Sequence, residues 1–491
     1  MSLAEVQGPD VASCAENWLR DGKTTSSPIT PLPSSFRDPN GFVFEHEGQF
    51  LRAIRPVYEP HYQRLMESGL YQELVEHTLL VPHEDVTPSF SNEVGGCRII
   101  KPMQVGFISH PFEWSFSQLA DSALTTLRIQ AAALEHGMRL KDASAYNIQF
   151  VNGAPVHIDT LSFECLPEGD LAPWVAYRQF CSHFLAPLAL MCHTDVRLHQ
   201  LLRVHLDGIP LDLASKLLPA RTWLSPGLLL HVHLHARSQR LMQNREMSTA
   251  TRRRGVSLNA LRGLTTTLIG TTQKLKRPAG RELWGNYYDE TVTGGGYVAE
   301  KKKIIGRWLG QIAPRRVWDL GANTGLFSRL AAYAGSQVVS FDLDPDCVEM
   351  NYCENRKRNE TKILPLVLDI MNPSSACGWD LTERSSFLER PHPELAMALA
   401  LVHHLAIGNN LPLERIAKFF NRFAPVLVIE FVPKEDPNAQ KLLRSREDIF
   451  PQYDQAHFEE AFGQYYCIET SQRVPGANRV LYLMRRRAND E

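Results

Sequence analysis

Apolar and polar positions alternate through GFVFEHEGQFLRAI (41–54) on both sides of Glu47-Gly48, which predicts a hairpin with a two-residue turn. HYQRLMESGLYQELVEHTLL (61–80) changes to the three- and four-residue spacing of a helix. SFSQLADSALTTLRIQAAALEHGM (115–138) predicts a long helix stopped at Gly137. NIQFVNGAPVHID (147–159) predicts two short strands around Asn152-Gly153. FLAPLALMC (184–192) is the most apolar run, and it falls well short of the roughly 18 residues of a membrane span, so it predicts a packed helix. Beyond about residue 283 strands and helices alternate. RVWDL, QVVSFD, ILPLVLD, LAMALA and VLVIEF are strand runs separated by helical segments, and FEEAFGQYY, YYCIETSQRV and NRVLYLMRRR close the series. That order predicts an α/β domain with a mostly parallel sheet.

Length and composition then set the organisation. At about 150 residues per domain, 491 residues suggest about three units. Residues 1–38 are Ser/Pro/Thr-rich and are expected to form a mobile leader, while 241–282 are polar and basic and are expected to be a linker or a surface helix carrying charge. This leaves domains at 39–240 and 283–491. The net charge of −2 gives no basic field, so nucleic acid is not indicated as a partner, and no membrane partner is expected. The N-terminus carries acids where a targeting peptide needs bases, and the nine cysteines form no C-x-x-C pair, so a cytoplasmic protein with reduced thiols is expected. His231, His233 and His235 have no acid or Cys at ligand spacing, and no metal site is expected.

The chemistry begins at VWDLGANTGLFSRLAA (317–332), where a strand enters a glycine turn and a helix follows. A second strand ends in Asp342 and a third in Asp369. An acid at the end of a second strand can accept hydrogen bonds from ribose hydroxyls. These residues, in this order over about 200 positions, resemble class I S-adenosylmethionine-dependent methyltransferases. The resemblance implies a doubly wound Rossmann-like sheet with an antiparallel final hairpin. It also implies S-adenosylmethionine as cofactor, held by Asp319, Gly321, Asn323 and Gly325 at the methionine end, Asp342 at the ribose and Asp369 at the adenine. In WGNYYDE, Tyr287 and Tyr288 resemble the aromatic lid of such enzymes.

The loop after the fourth strand reads VHHLAIG instead of the N-P-P-Y type of base N-methylation, and no Pro-Cys dipeptide of the cytosine C5 enzymes occurs. His404 and His403 are the candidates for removing an acceptor proton, with Glu430 at the end of the fifth strand as the other polar candidate.

The other half carries RLKDASAYNIQFVNGAPVHIDTLSFE (139–164), in which Asp142, Asn147 and Asp159 stand at a loop-and-hairpin spacing. It resembles the catalytic loop and metal-binding strand of the protein-kinase-like fold, especially the aminoglycoside phosphotransferase branch. That implies an α+β N-terminal domain in which Asp142 orients a hydroxyl while Asn147 and Asp159 bind magnesium. The pattern departs from the family in having no glycine-rich phosphate loop and no V-A-I-K strand. Arg52, Arg55 and Lys101 are the only substitutes for the lysine, and Asp159 is followed by Thr-Leu-Ser. A degenerate recruiting or regulatory module is therefore expected, with Mg-ATP disfavoured. The combined expectation is methyl transfer to an unidentified acceptor, a small molecule. The alternatives are a non-catalytic cofactor-binding protein and a bifunctional methyltransferase and small-molecule kinase.

Overall fold

The computed structural model describes residues 29–90, 96–167, 172–238, 255–277, 294–444 and 447–488. The N-terminal domain opens with the predicted hairpin, β1 (Gly41–His46) and β2 (Gln49–Ile54). Glu47 and Gly48 both take positive φ, as a turn matched to strand twist requires. With β3 (His83–Asp85) and β4 (Arg98–Pro102) it forms an antiparallel sheet of order β1-β2-β4-β3. The helical segment between β2 and β3 is two helices, Glu59–Glu67 and Leu70–Glu76, because Gly69 at φ 84° turns the chain. The long helix Phe116–Glu135 starts at a Ser115/Gln118 capping box. After it come β5 (Met138–Leu140), the hairpin of β6 (Ile148–Val151) and β7 (Ala154–His157), and β8 (Phe163–Cys165) paired with β5. A small sheet lobe followed by a helical lobe, with the loop and hairpin between them, is the kinase-like arrangement.

The C-terminal domain is a seven-stranded sheet. Its strands are β9 (Arg316–Leu320), β10 (Gln337–Asp342), β11 (Ile363–Val367), β12 (Leu395–Ala398), β13 (Val426–Phe431), β14 (Tyr466–Arg473) and β15 (Val480–Arg486), in the order β11-β10-β9-β12-β13-β15-β14. The pairs from β11 through β13 are parallel, and β15 is inserted antiparallel between β13 and β14. This strand order, with its reversed last hairpin, is that of the class I methyltransferase fold. The order reverses between β9 and β12, which opens a crevice at the carboxyl ends of the parallel strands.

Two boundaries differ from expectation. Leu258–Lys274, expected inside a basic linker or as a charged surface helix, is a helix with a buried face packed along Phe116–Glu135, and so belongs to the N-terminal domain. Leu261, Thr265, Leu268 and Thr272 form its buried stripe, and the many threonines hid that spacing. Residues from Ile29 on, expected within the leader, extend the first sheet: the Leu32 amide donates to the Val43 carbonyl at 2.8 Å.

The two domains share one hydrophobic core. Phe107 packs edge-on against Trp318 and Phe341. Glu113 accepts a two-pronged ion pair from Arg390 (2.7 and 2.8 Å) and a hydrogen bond from Ser374, with both charged side chains 1% exposed. Burial alone would raise the Glu113 carboxyl, but Arg390 holds it down to about 2. Among the described residues no helix is long and apolar enough to cross a membrane.

Candidate active site

The site is built where β9 ends. Gly321 (φ 72°), Asn323 (φ 52°) and Gly325 (φ 80°) turn the chain sharply into the helix Leu326–Tyr333. The amides of Gly321 and Ala322 both donate to the Phe341 carbonyl, tying the turn to β10. The Asn323 amide donates to Asp342 Oδ2 at 2.7 Å and the Asp344 amide to Asp342 Oδ1 at 2.9 Å. Asp342 is thus aimed by backbone on both sides.

A cleft of about 290 Å³ lies at these strand ends, lined by Gly321, Asn323, Asp342, Asp369, His404 and Lys301 against apolar walls such as Leu343, Met371 and Leu401. Burial pushes the Asp342 carboxyl up to about 6 against the pull of its amide donors. Asp369 accepts from the Met371 amide at 2.9 Å.

Three expected site residues stand behind the cleft wall. Asp319 is buried, accepts from Ser328 Oγ at 2.6 Å and is raised to about 6 by burial. His403 is buried, neither ring nitrogen has a hydrogen-bond partner, and burial holds its pKa well below the ordinary value. Glu430 accepts from Lys301 Nζ at 2.6 Å and from the Tyr297 hydroxyl. Gly325 is also off the cleft: a Cβ there would lie 2.3 Å from Asn351 Oδ1, so its glycine is required by the positive φ and the neighbouring helix, whereas the sequence suggested ligand approach. Tyr287 and Tyr288 lie outside the described residues.

The sequence did not reveal the charged cluster around Glu430. Arg479 forks onto Asp436 (2.7 and 3.0 Å) and reaches the Tyr297 hydroxyl at 3.2 Å. Lys301 opens a three-lysine run that reads as a solvated face. Its signal is phase: Tyr297, Lys301, Ile304 and Trp308 fall on one helical stripe, and all are buried.

In the N-terminal domain Ser162 links two of the motif residues, Asn147 and Asp159. Ser162 Oγ donates to Asp159 at 2.6 Å and accepts from Asn147 Nδ2 at 3.2 Å. Asp142 and Asp159 both lie in electrostatic range of Lys141 and of buried His157. Asp159, however, is paired with Arg52 of β2 at 2.6 Å, and the same guanidinium reaches Asp38 at 3.2 Å. Lys101 pairs in register with Glu84 on β3. Among the described residues no group of three or more His, Cys, Asp or Glu side chains is placed to hold a metal ion. The three linker-side histidines are structural: His231 bonds the Tyr177 hydroxyl, His233 bonds Ser215 and Thr222, and His235 stacks on Tyr177.

The chain therefore joins a class I methyltransferase fold to a kinase-like domain. It is 33% identical over 476 residues to nodulation protein NoeA of Rhizobium meliloti (strain 1021), covering 95% of this chain and 99% of that protein. The chain belongs to the NoeA family. No family model matches it. Among solved structures it is similar to the bifunctional kinase-methyltransferase WbdD (TM-score 0.28, 16% identity, 41% of this chain and 42% of that one). It is also similar to the N-methyltransferase NodS from Bradyrhizobium japonicum WM9 (TM-score 0.30, 13% identity, 40% and 100%). A third is the PH0226 protein of Pyrococcus horikoshii OT3 (TM-score 0.32, 15% identity, 42% and 97%).

Proposed function

We propose that the chain transfers a methyl group from S-adenosylmethionine to a small-molecule acceptor, with the C-terminal domain (283–491) as the catalytic unit and the N-terminal domain (39–240, extended by the helix at 258–274) as a recruiting or regulatory module. The observation that carries this reading is the pair of carboxylates, Asp342 and Asp369, lining an open cleft at the point where strand order reverses. The lining fits the cofactor: acids for hydroxyl and amino hydrogens, apolar walls for a base, and a turn at Gly321 and Asn323 for the amino-acid end. Asp342 receives the ribose, Asp369 faces the adenine, and Asp319 supports the turn from below. S-adenosylmethionine bound there supplies an activated methyl group for in-line displacement.

His404 lines the cleft, and burial together with Arg479 holds its imidazole below the ordinary value, so at neutral pH it is uncharged and able to take a proton from an acceptor hydroxyl. His403 and Glu430 act through their neighbours, as positioning residues. Phosphoryl transfer is not part of the proposal: Arg52 already neutralises Asp159, the carboxylate that would bind magnesium. A cytoplasmic location and a part in nodulation, as in the relative's name, belong to the same proposal.

The test is product formation. The full chain, given S-adenosylmethionine and a small-molecule cell extract, should release S-adenosylhomocysteine and a methylated compound seen by mass spectrometry, and the Gly321→Arg chain should do neither. Cofactor binding without turnover in any extract would favour the non-catalytic alternative.

A further inference from the structure

Asp369, Ile370 and Met371, which line the cleft, begin the connection that leaves β11. The next three residues are each gripped by side chains of the N-terminal domain. Arg203 donates to the Asn372 carbonyl at 3.4 Å and to the Pro373 carbonyl at 3.0 Å. Ser374 Oγ donates to Glu113 at 2.6 Å. Within its own domain the stretch is tied by the Asn372 amide to the Asp369 carbonyl and by the Phe387 amide to the Ser374 carbonyl. β11 is itself an edge strand, with Pro365 inside it, and the Pro365 carbonyl accepts from Gln118 Nε2 of the helix Phe116–Glu135 at 3.0 Å. Asp121 of that helix accepts from Tyr352 and Arg356 of the helix Pro345–Arg358, both at 2.8 Å. The N-terminal domain thus covers the sheet edge and holds the loop that leaves it.

We infer that the N-terminal domain keeps the adenine end of the cofactor site in register, with Arg203 and Glu113 as positioning residues for Asp369. The inference rests on the methyltransferase reading above, and it gives the kinase-like domain a part in that reaction which does not use its own motif. The Asp369 carboxylate is aimed by the Met371 amide, so its direction follows the path of the loop, and that path is fixed at Asn372, Pro373 and Ser374. The two grips belong to one packed unit. Gln200, which precedes the short helix Leu201–Val204 bearing Arg203, donates to the Phe112 carbonyl beside Glu113 at 2.6 Å. Glu113 in turn is locked on Arg390. A hydrogen bond weakens steeply with misalignment. A loop free to shift would therefore lose the contact by which a carboxylate tells an adenine amino group from the oxygen that replaces it in hypoxanthine.

Calorimetry on the full chain compares S-adenosylhomocysteine, the product of methyl transfer, with S-inosylhomocysteine, in which that oxygen replaces the amino group. Wild type should bind the first at least about tenfold more tightly. Arg203→Met, at a half-buried position, should cut this ratio to about threefold or less by weakening S-adenosylhomocysteine, with S-inosylhomocysteine staying within about twofold of wild type. Ser374→Ala leaves Glu113 paired with Arg390 and releases only the second grip, so it should lower the ratio in the same direction by a smaller factor. A part in stability alone would move both affinities together. The wild-type ratio retained in both variants would therefore overturn the assignment, whether the affinities themselves fall or hold. Equal affinities in wild type would overturn it too, because Asp369 would then not read the amino group. Wild type binding neither ligand would instead overturn the methyltransferase reading, and this inference with it.

Discussion

Two aspartates in this chain occupy equivalent chemical settings and meet opposite fates. Asp159 follows β7 and Asp342 ends β10, each is partly buried, and each accepts hydrogen bonds from the turn that follows it. Asp159 also has Arg52 at 2.6 Å, and although burial works against it, Arg52 and Ser162 hold its carboxyl below the usual range. Among the described residues Asp342 has only backbone donors, and burial drives its carboxyl up to about 6. A buried acid whose charge is balanced within the fold is a finished structural element. A buried acid left unbalanced at the mouth of a cleft is costly until a ligand supplies its partner, and such groups concentrate at functional sites. By this criterion the proposed reading makes the C-terminal motif the ligand site, whereas Asp159 of the N-terminal motif is held in an ion pair with Arg52.

The largest expected effect is at Gly321. Its φ of 72° is strained for any other residue, and a long side chain there would point into the cleft lining. Gly321→Arg should weaken S-adenosylmethionine binding by more than about a hundredfold in calorimetry, with the circular dichroism spectrum kept. Arg52→Met comes next and probes the other site. Removing one member of a mostly buried pair costs about 3 kcal/mol or somewhat more, so urea unfolding should shift by that amount while cofactor affinity stays unchanged. A marked loss of cofactor affinity in this variant would mean that the two motifs are not separable.

Asp342→Ala should cost about 1.5–3 kcal/mol of binding, or about ten- to a hundredfold, because the ribose loses a charged acceptor. The smallest effect is with pH. An acid raised to about 6 gains its proton as the pH falls through 6, and that proton must sit on an oxygen already accepting from an amide. Affinity should therefore fall about tenfold from pH 7.5 to pH 5 in wild type and stay nearly flat in Asp342→Asn. A wild-type profile as flat as the variant's would remove Asp342 from the ribose subsite.

Much of this was legible from local pattern. The β9 turn, the acids of β10 and β11 and both Asn-Gly and Glu-Gly hairpins are written in consecutive residues, so short-range rules find them. What stayed hidden is what folding brings together from far apart. Arg52 and Asp159 are 107 positions apart, and Lys301 and Glu430 are 129 positions apart. Glu113 and Arg390, which lock the domains, have no spacing to betray them. His403 and His404 are adjacent in sequence, and only the turn after β12 decides that one faces the cleft and the other the core. The helix Leu258–Lys274 was concealed differently, by threonines that bury as well as leucines once their hydroxyls bond back to the helix, as Thr265 does to the Leu261 carbonyl at 3.0 Å.

The central claim is that one of the two motifs is a ligand site and the other a closed ion pair. It is tested most directly by titrating the same wild-type protein in the calorimeter with S-adenosylmethionine and, separately, with ATP and magnesium. The account predicts saturable one-to-one binding of the first and no heat of binding for the second. Saturable ATP binding that disappears in Asp159→Ala, or no binding of S-adenosylmethionine, would contradict it.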